Sequence, residues 1–305
     1  MKLRLATRQS PLALWQAGHV KAQLEAAHPG IHVELVPLTT SGDRIQSTTL
    51  ANAGGKGLFI KELEDALIEK RADLAVHSMK DVTAQLPPGL CLTAFLAAED
   101  PRDAFVSTKF SRLADLPKGA KVGTASLRRR AQLLALRRDL AVLDLRGNVG
   151  TRLKRLDEGK FDALLLACAG LKRLGEAARI REALPADQFL PAIGQGIIGV
   201  ECREGDAATR DALVPLNDAA SATRLAAERA LNAGLGGSCR APVAGHAILS
   251  GARVTLTGWV GMPDGSRAVS QHLEGAAADA AGIGAELARR LLQAGAREIL
   301  EAIGA

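Results

Sequence analysis

The 305-residue sequence has no tyrosine, and six phenylalanines and two tryptophans are its only aromatics. Binders of single-stranded nucleic acid stack bases on aromatic side chains, so a chain this poor in them is not built as such a platform. Its four cysteines, Cys91, Cys168, Cys202 and Cys239, lie far apart, with no CxxC pair and no histidine at metal spacing. That argues against disulfide and zinc frameworks, suits a reducing compartment and leaves no metal to expect. No apolar run approaches the length of a membrane span. The amino terminus, Met1-Lys2-Leu3-Arg4-Leu5, enters a structured pattern at once and lacks the apolar stretch and cleavage site of a secretory signal. A cytoplasmic protein with no membrane partner is expected.

Hydrophobic residues make up 47% and charged residues 24%, ordinary globular usage, and the length suits two or three domains. The formal charge is +6, and its distribution is informative. Between Lys121 and Arg155 there are ten Lys/Arg against two acids, Asp139 and Asp144, so this window holds more than the whole excess and the remainder is near neutral. A focused anion site explains such a window better than a diffusely basic surface does.

Along the first hundred residues strand and helix signals alternate. Residues 2–5 read as a strand, and Ser10-Pro11 supplies an N-cap and a first-turn proline for a helix to about residue 27. Residues 31–38 alternate like a half-buried strand. The polar stretch 39–57, ending Gly54-Gly55-Lys56-Gly57, reads as a lid or a plain connector. A helix over 59–70 and strands over 73–77 and 90–97 complete the rhythm of a parallel-sheet domain. The rhythm then restarts, with strands at 121–123, 140–145 and 162–168 and helices at 126–138 and 149–158. Residues 197–201 read as a strand able to return to the first sheet, and 218–232 as a helix. Strands at 243–249, 253–260 and 268–273 and an alanine-rich helix to the end suggest a small α+β domain. The expected fold class is thus α/β, with domain 1 at 1–98 and 195–215, domain 2 at 99–194 and domain 3 at 216–305.

Several constellations suit anion chemistry. Arg128-Arg129-Arg130 follows the strand-to-helix turn Gly123-Thr124-Ala125-Ser126, where helix amides and guanidiniums meet an anion together. Arg146 is read at the end of the next strand and Arg152 in the first turns of the next helix, while Arg130, Arg137, Arg138, Lys154 and Arg155 are assigned to solvent. Thr7-Arg8-Gln9-Ser10 occupies the equivalent turn of the first domain. His77-Ser78-Met79-Lys80-Asp81 follows a buried strand, which sets Lys80 and Asp81 at the ligand edge of an open sheet, unless they form a plain surface pair. His77 reads as a core histidine before a general base. Cys239, in the loop Gly234-Leu235-Gly236-Gly237-Ser238-Cys239-Arg240, is the reachable thiol; Cys91, Cys168 and Cys202 read as small core hydrophobes.

Six segments in order resemble the porphobilinogen deaminase (hydroxymethylbilane synthase) family nearly end to end. They are Ala6-Thr7-Arg8-Gln9-Ser10-Pro11-Leu12-Ala13-Leu14-Trp15-Gln16, Gly55-Lys56-Gly57-Leu58-Phe59, His77-Ser78-Met79-Lys80-Asp81-Val82, Gly123-Thr124-Ala125-Ser126-Leu127-Arg128-Arg129, Leu145-Arg146-Gly147-Asn148-Val149-Gly150-Thr151-Arg152 and Gly194-Gln195-Gly196. The resemblance implies two α/β domains like those of type II periplasmic binding proteins, plus a small α+β C-terminal domain. It implies a monomeric transferase that joins porphobilinogen units, with release of ammonia, on a dipyrromethane cofactor held covalently by Cys239. It also implies that Asp81 is catalytic, contacting pyrrole NH groups, and that Lys80, Thr124, Ser126, Arg128, Arg129 and Arg146 bind the cofactor. Arg8, Ser10, Phe59, Arg146 and Arg152 are implied in substrate binding. Ser238 stands where many relatives have glycine, a departure that leaves the thiol in place. Two α/β lobes also describe a solute-binding protein that closes on a carboxylate without chemistry. A nucleic-acid binder fits least, because the basic window has no aromatic interleaving.

Overall fold

The computed structural model describes residues 1–44, 59–237 and 241–304, so most of the expected lid, including residues 54–57, and Cys239 with its two neighbours lie outside the described residues. The chain divides into two compact units, residues 1–99 with 197–222, and residues 100–196 with 223–305.

The first unit opens with β1 (Lys2–Arg8), α1 (Pro11–Ala27) and β2 (His32–Leu38). Helix α1 starts where the sequence says it should. The Ser10 hydroxyl accepts a hydrogen bond from the Ala13 amide and Pro11 occupies the first turn; Ala17, Val20 and Leu24 recur at helical spacing on its buried face. The helix stops at Ala27, just ahead of His28-Pro29, because the residue before a proline is driven out of the helical region. A single turn, α2 (Ser41–Arg44), then α3 (Lys61–Ile68), β3 (Leu74–Ser78) and β4 (Leu90–Phe95) follow.

The second unit begins with β5 (Asp103–Val106), β6 (Lys121–Gly123), α4 (Leu127–Leu136), β7 (Ala141–Leu143), α5 (Val149–Asp157), β8 (Ala163–Ala167), α6 (Cys168–Arg173) and β9 (Glu182–Ala183). Strand β10 (Ile198–Arg203) and α7 (Ala207–Leu213) belong to the first unit again. Helix α8 (Ala219–Gly234), β11 (Val243–Ser250), β12 (Arg253–Gly261), β13 (Ala268–Ala276), α9 (Ala280–Leu291) and α10 (Arg297–Ala302) complete the chain.

The sheet of the first unit has the order β2-β1-β3-β10-β4 and the five-stranded sheet of the second has β7-β6-β8-β5-β9. The two orders are the same pattern. In each, three parallel strands are followed by one antiparallel strand, β10 or β5, that pairs on both sides. The fold class is the expected α/β, but the sheets are mixed rather than parallel. Local βαβ rhythm cannot show a strand supplied from a distant segment. Residues 197–201 do return to the first sheet, as part of β10. Strand β5, which the sequence reading leaves out, is only four residues long but buried throughout.

Helices cover both faces of each five-stranded sheet. In the first unit Leu3, Leu5 and Val76 pack toward α1, while Ala6 and Ala75 pack toward Leu63, Ala66 and Leu67 of α3, the two-sided burial that alternation along a strand produces. Strands β11, β12 and β13 form an antiparallel sheet whose core includes Leu256, Leu287 and Leu291. The expected continuous terminal helix is interrupted at Gly295, whose φ of +108° is a left-handed value that glycine adopts readily. Among the described residues no helix is long and apolar enough to cross a membrane.

Candidate functional site

Strands β1 and β3 are parallel neighbours, so their carboxyl ends emerge side by side. The first delivers Arg8 and the helix cap Ser10. The second runs into a single 3-10 turn, Met79–Asp81, that carries Lys80 and Asp81. Together with Gln16 and Phe59 these side chains line one pocket. The unit thus brings together the five residues expected in it: Arg8, Ser10, Phe59, Lys80 and Asp81. The Arg8 guanidinium lies 4.3 Å above the Phe59 ring, within cation–π range, which orients it. Phe59 in turn rests against Gly42, where its ring leaves no room for a Cβ. Gln16, which sequence reasoning quotes only within a motif, is buried on α1 and donates a 2.8 Å hydrogen bond to the Ser78 hydroxyl. A polar residue on an otherwise apolar helix face was the available signal.

His77, a lining residue of the same pocket, is buried and its Nε2 lies 2.9 Å from Glu201 Oε2, on β10. It is a paired core histidine, as expected. Glu64, on α3, lies beside this pair, and one oxygen each of Glu64 and Glu201 is buried with no hydrogen-bond partner among the described residues. Burial, reinforced by the Glu201 charge and opposed by His77, pushes the Glu64 carboxyl up to about 7. Between about pH 4.5 and 7 the folded chain therefore holds a proton here that the unfolded chain does not. Stability from this group is fully present below pH 4.5 and is lost as pH rises through 7. Urea denaturation of Glu64→Gln at pH 5 and pH 8 is expected to show a smaller loss across that interval than the parent shows; an equal loss would place the proton elsewhere.

In the second unit β6 and β7 are parallel neighbours as well. Thr124 and Ser126 follow β6, and Ser126 caps α4 by accepting a hydrogen bond from the Arg129 amide. The Thr124 hydroxyl accepts from the Ser126 amide. Arg146 lies in the loop after β7, which ends at Leu143 rather than Leu145, and its Nε is buried, 3.5 Å from Asp144 Oδ2 and with no hydrogen bond among the described residues. Arg152, on α5, donates through Nε to the Gly147 carbonyl at 2.7 Å. Gly147 has φ of +106° and sits against Thr151, so the turn that presents Arg146 needs a glycine.

Arg128 and Arg129 turn inward. They are only 5% and 6% exposed, and both guanidiniums meet the fully buried Asp103 on β5, at 2.7 Å each. Arg129 also donates to the Leu165 carbonyl, whereas Nε and Nη2 of Arg128 make no hydrogen bond among the described residues. Arg137, assigned to solvent from the sequence, is instead tied to Asp139 and to the Leu116 carbonyl, each at 2.8 Å. Arg130 and Arg138 are exposed as expected.

Cys168 and Cys202 are fully buried; burial pushes the first thiol up to about 12 and the second up to about 11, so both are neutral and inert. Cys168 begins α6 rather than lying in a strand, and Cys91 is only half-buried. Arg128, whose Nε and Nη2 make no hydrogen bond among the described residues, and Arg146 present planar donors of the kind that pairs with carboxylates.

Family comparison gives this chemistry its context. The model described as porphobilinogen deaminase, dipyromethane cofactor binding domain, matches residues 3–211, and that described as porphobilinogen deaminase, C-terminal domain, matches residues 222–293. Similar solved structures include a putative methionine-binding lipoprotein from Bacillus subtilis, 13% identical over 70% of this chain and 89% of that one, with a TM-score of 0.45. Lipoprotein Tp32 from Treponema pallidum is 14% identical over 70% of this chain and 90% of its own, also with a TM-score of 0.45. Likeness of that order carries no inference about a ligand. Matched by both family models over nearly its whole length, the chain belongs to the porphobilinogen deaminase family, the hydroxymethylbilane synthases, transferases of tetrapyrrole biosynthesis that carry a dipyrromethane cofactor.

Proposed function

We infer that this chain joins four porphobilinogen molecules head to tail, releasing ammonia, to give linear hydroxymethylbilane, with Asp81 as its catalytic carboxylate. The observation that carries the residue assignment is the pocket of the first unit, where Asp81 stands with Lys80 and Arg8 at adjacent strand ends.

Porphobilinogen brings an aminomethyl group and two carboxylates on a pyrrole ring. As the carbon–nitrogen bond breaks, the pyrrole nitrogen supplies electrons and positive charge spreads over the ring and its methylene. A carboxylate fixed within reach of the ring NH opposes that charge and accepts the NH hydrogen bond; this is the role assigned to Asp81. Arg8 and Lys80 pair with substrate carboxylates, and Phe59 gives the ring an apolar face. Arg128, Arg129, Arg146 and Arg152 take the carboxylates of the cofactor and the growing chain, with hydrogen bonds from Ser10, Thr124 and Ser126. Bound through a thioether at Cys239, the dipyrromethane would supply the pyrrole carbon to which the first porphobilinogen is joined. Positioning and charge compensation are the work left to the protein. Residues 216–305 form a third domain in this reading, and the chain acts as a cytoplasmic monomer without nucleic acid.

Incubation with porphobilinogen tests the reading. A linear bilane and one ammonia per porphobilinogen consumed are expected; a folded, adduct-bearing chain that makes neither would overturn it.

A further inference from the structure

Asp103 is reached by three side chains. Its Oδ2 accepts from Arg128 Nη1 at 2.7 Å, and its Oδ1 accepts from Arg129 Nη2 at 2.7 Å and Nε at 3.0 Å. Gln195 Nε2 donates to the same Oδ1 at 3.0 Å and to the Pro101 carbonyl at 2.6 Å, while its Oε1 lies 3.5 Å from Arg129 Nη2. Asp103 opens β5 opposite Ala167, the carboxyl end of β8, so the cluster stands at the edge of the sheet where α/β folds bind ligands. Burial alone would push the Asp103 carboxyl up, but the charges of Arg128 and Arg129 outweigh it and hold it well below the usual carboxylate range. Two permanently charged guanidiniums therefore share one carboxylate, and the trio keeps one positive charge in excess with almost no water to screen it.

We propose that Asp103, fixed by Gln195, is a positioning residue: it orients Arg128 and Arg129 and leaves them one anion short, so that a pyrrole carboxylate completes the cluster. The excess charge calls for an anion, and Nε and Nη2 of Arg128, which make no hydrogen bond among the described residues, give it a place to bind. A lone buried arginine would be costly and loosely aimed; a pair fully neutralised by two acids would attract nothing. This inference rests on the functional reading above and deepens it.

The test compares the wild type with Asp103→Asn, which keeps the size of the side chain and removes its charge. The readouts are the fraction of purified chain whose intact mass carries the pyrrole adduct, KM and kcat for porphobilinogen, and Tm. Phe105→Leu, a core change on the same strand, serves as the stability control. With the arginines misplaced, Asp103→Asn is expected to lose most of its adduct and to raise KM by about 10²-fold, while Phe105→Leu at a comparable Tm keeps both at wild-type values. Wild-type loading and KM in Asp103→Asn, or an equal loss in Phe105→Leu, would overturn the proposal. Should Asp103→Asn not fold, Gln195→Met decides: it keeps both ion pairs, and a rise in KM larger than its fall in kcat is expected, whereas unchanged kinetics would sink the idea. A wild-type chain that is itself bare and makes no bilane would instead sink the functional reading.

Discussion

Cys239→Ala is expected to yield a folded chain of bare sequence mass that makes no bilane at any porphobilinogen concentration. The other three cysteines offer no substitute. Cys168 and Cys202 are fully buried with thiols pushed up to about 12 and about 11, and Cys91, partly exposed, lies on β4 within the first sheet. In sequence Cys239 stands two residues after Gly236-Gly237, both with positive φ, and next to Arg240. Mass spectrometry of the purified variant, with far-UV circular dichroism to show that it is folded, checks the expectation. An adduct of wild-type mass on another residue would contradict it.

Asp81→Asn is expected to lower kcat by about 10²–10³-fold, the usual effect of removing one fixed group that opposes transition-state charge. Asp81 is exposed at the end of a short turn and packs into no core, so the fold and Tm are expected to be unchanged. Asparagine can still accept a hydrogen bond from a pyrrole NH, and KM is therefore expected to move less than kcat. Equal loss in both would make Asp81 a binding group; near-normal turnover would return it to the plain surface pair that its spacing with Lys80 also allowed.

Much of this was legible in the sequence where the determinants are local. Ser10-Pro11 fixes the start of α1, and the buried strand before Met79-Lys80-Asp81 fixes the sheet edge at which that turn lies. What was not legible depends on partners far away along the chain. Asp103 meets arginines 25 and 26 residues later and a glutamine 92 residues later, and nothing in its own surroundings announces a buried acid. His77 and Glu201, 124 residues apart, face each other only because β10 inserts antiparallel beside β3. Arg128 and Arg129 illustrate the same limit: a helix start rich in arginine reads as an open anion site, yet both side chains turn inward because a carboxylate on β5 is there to receive them.

The most direct measurement is the intact mass of the wild-type chain, before and during incubation with porphobilinogen. A pyrrole chain tethered at Cys239 and held by arginines predicts a resting mass above that of the bare sequence by one dipyrromethane, and then a ladder of species rising by one pyrrole unit at a time, all mapping to the Cys239 peptide. An actively bilane-producing sample whose mass remains that of the bare sequence would contradict it.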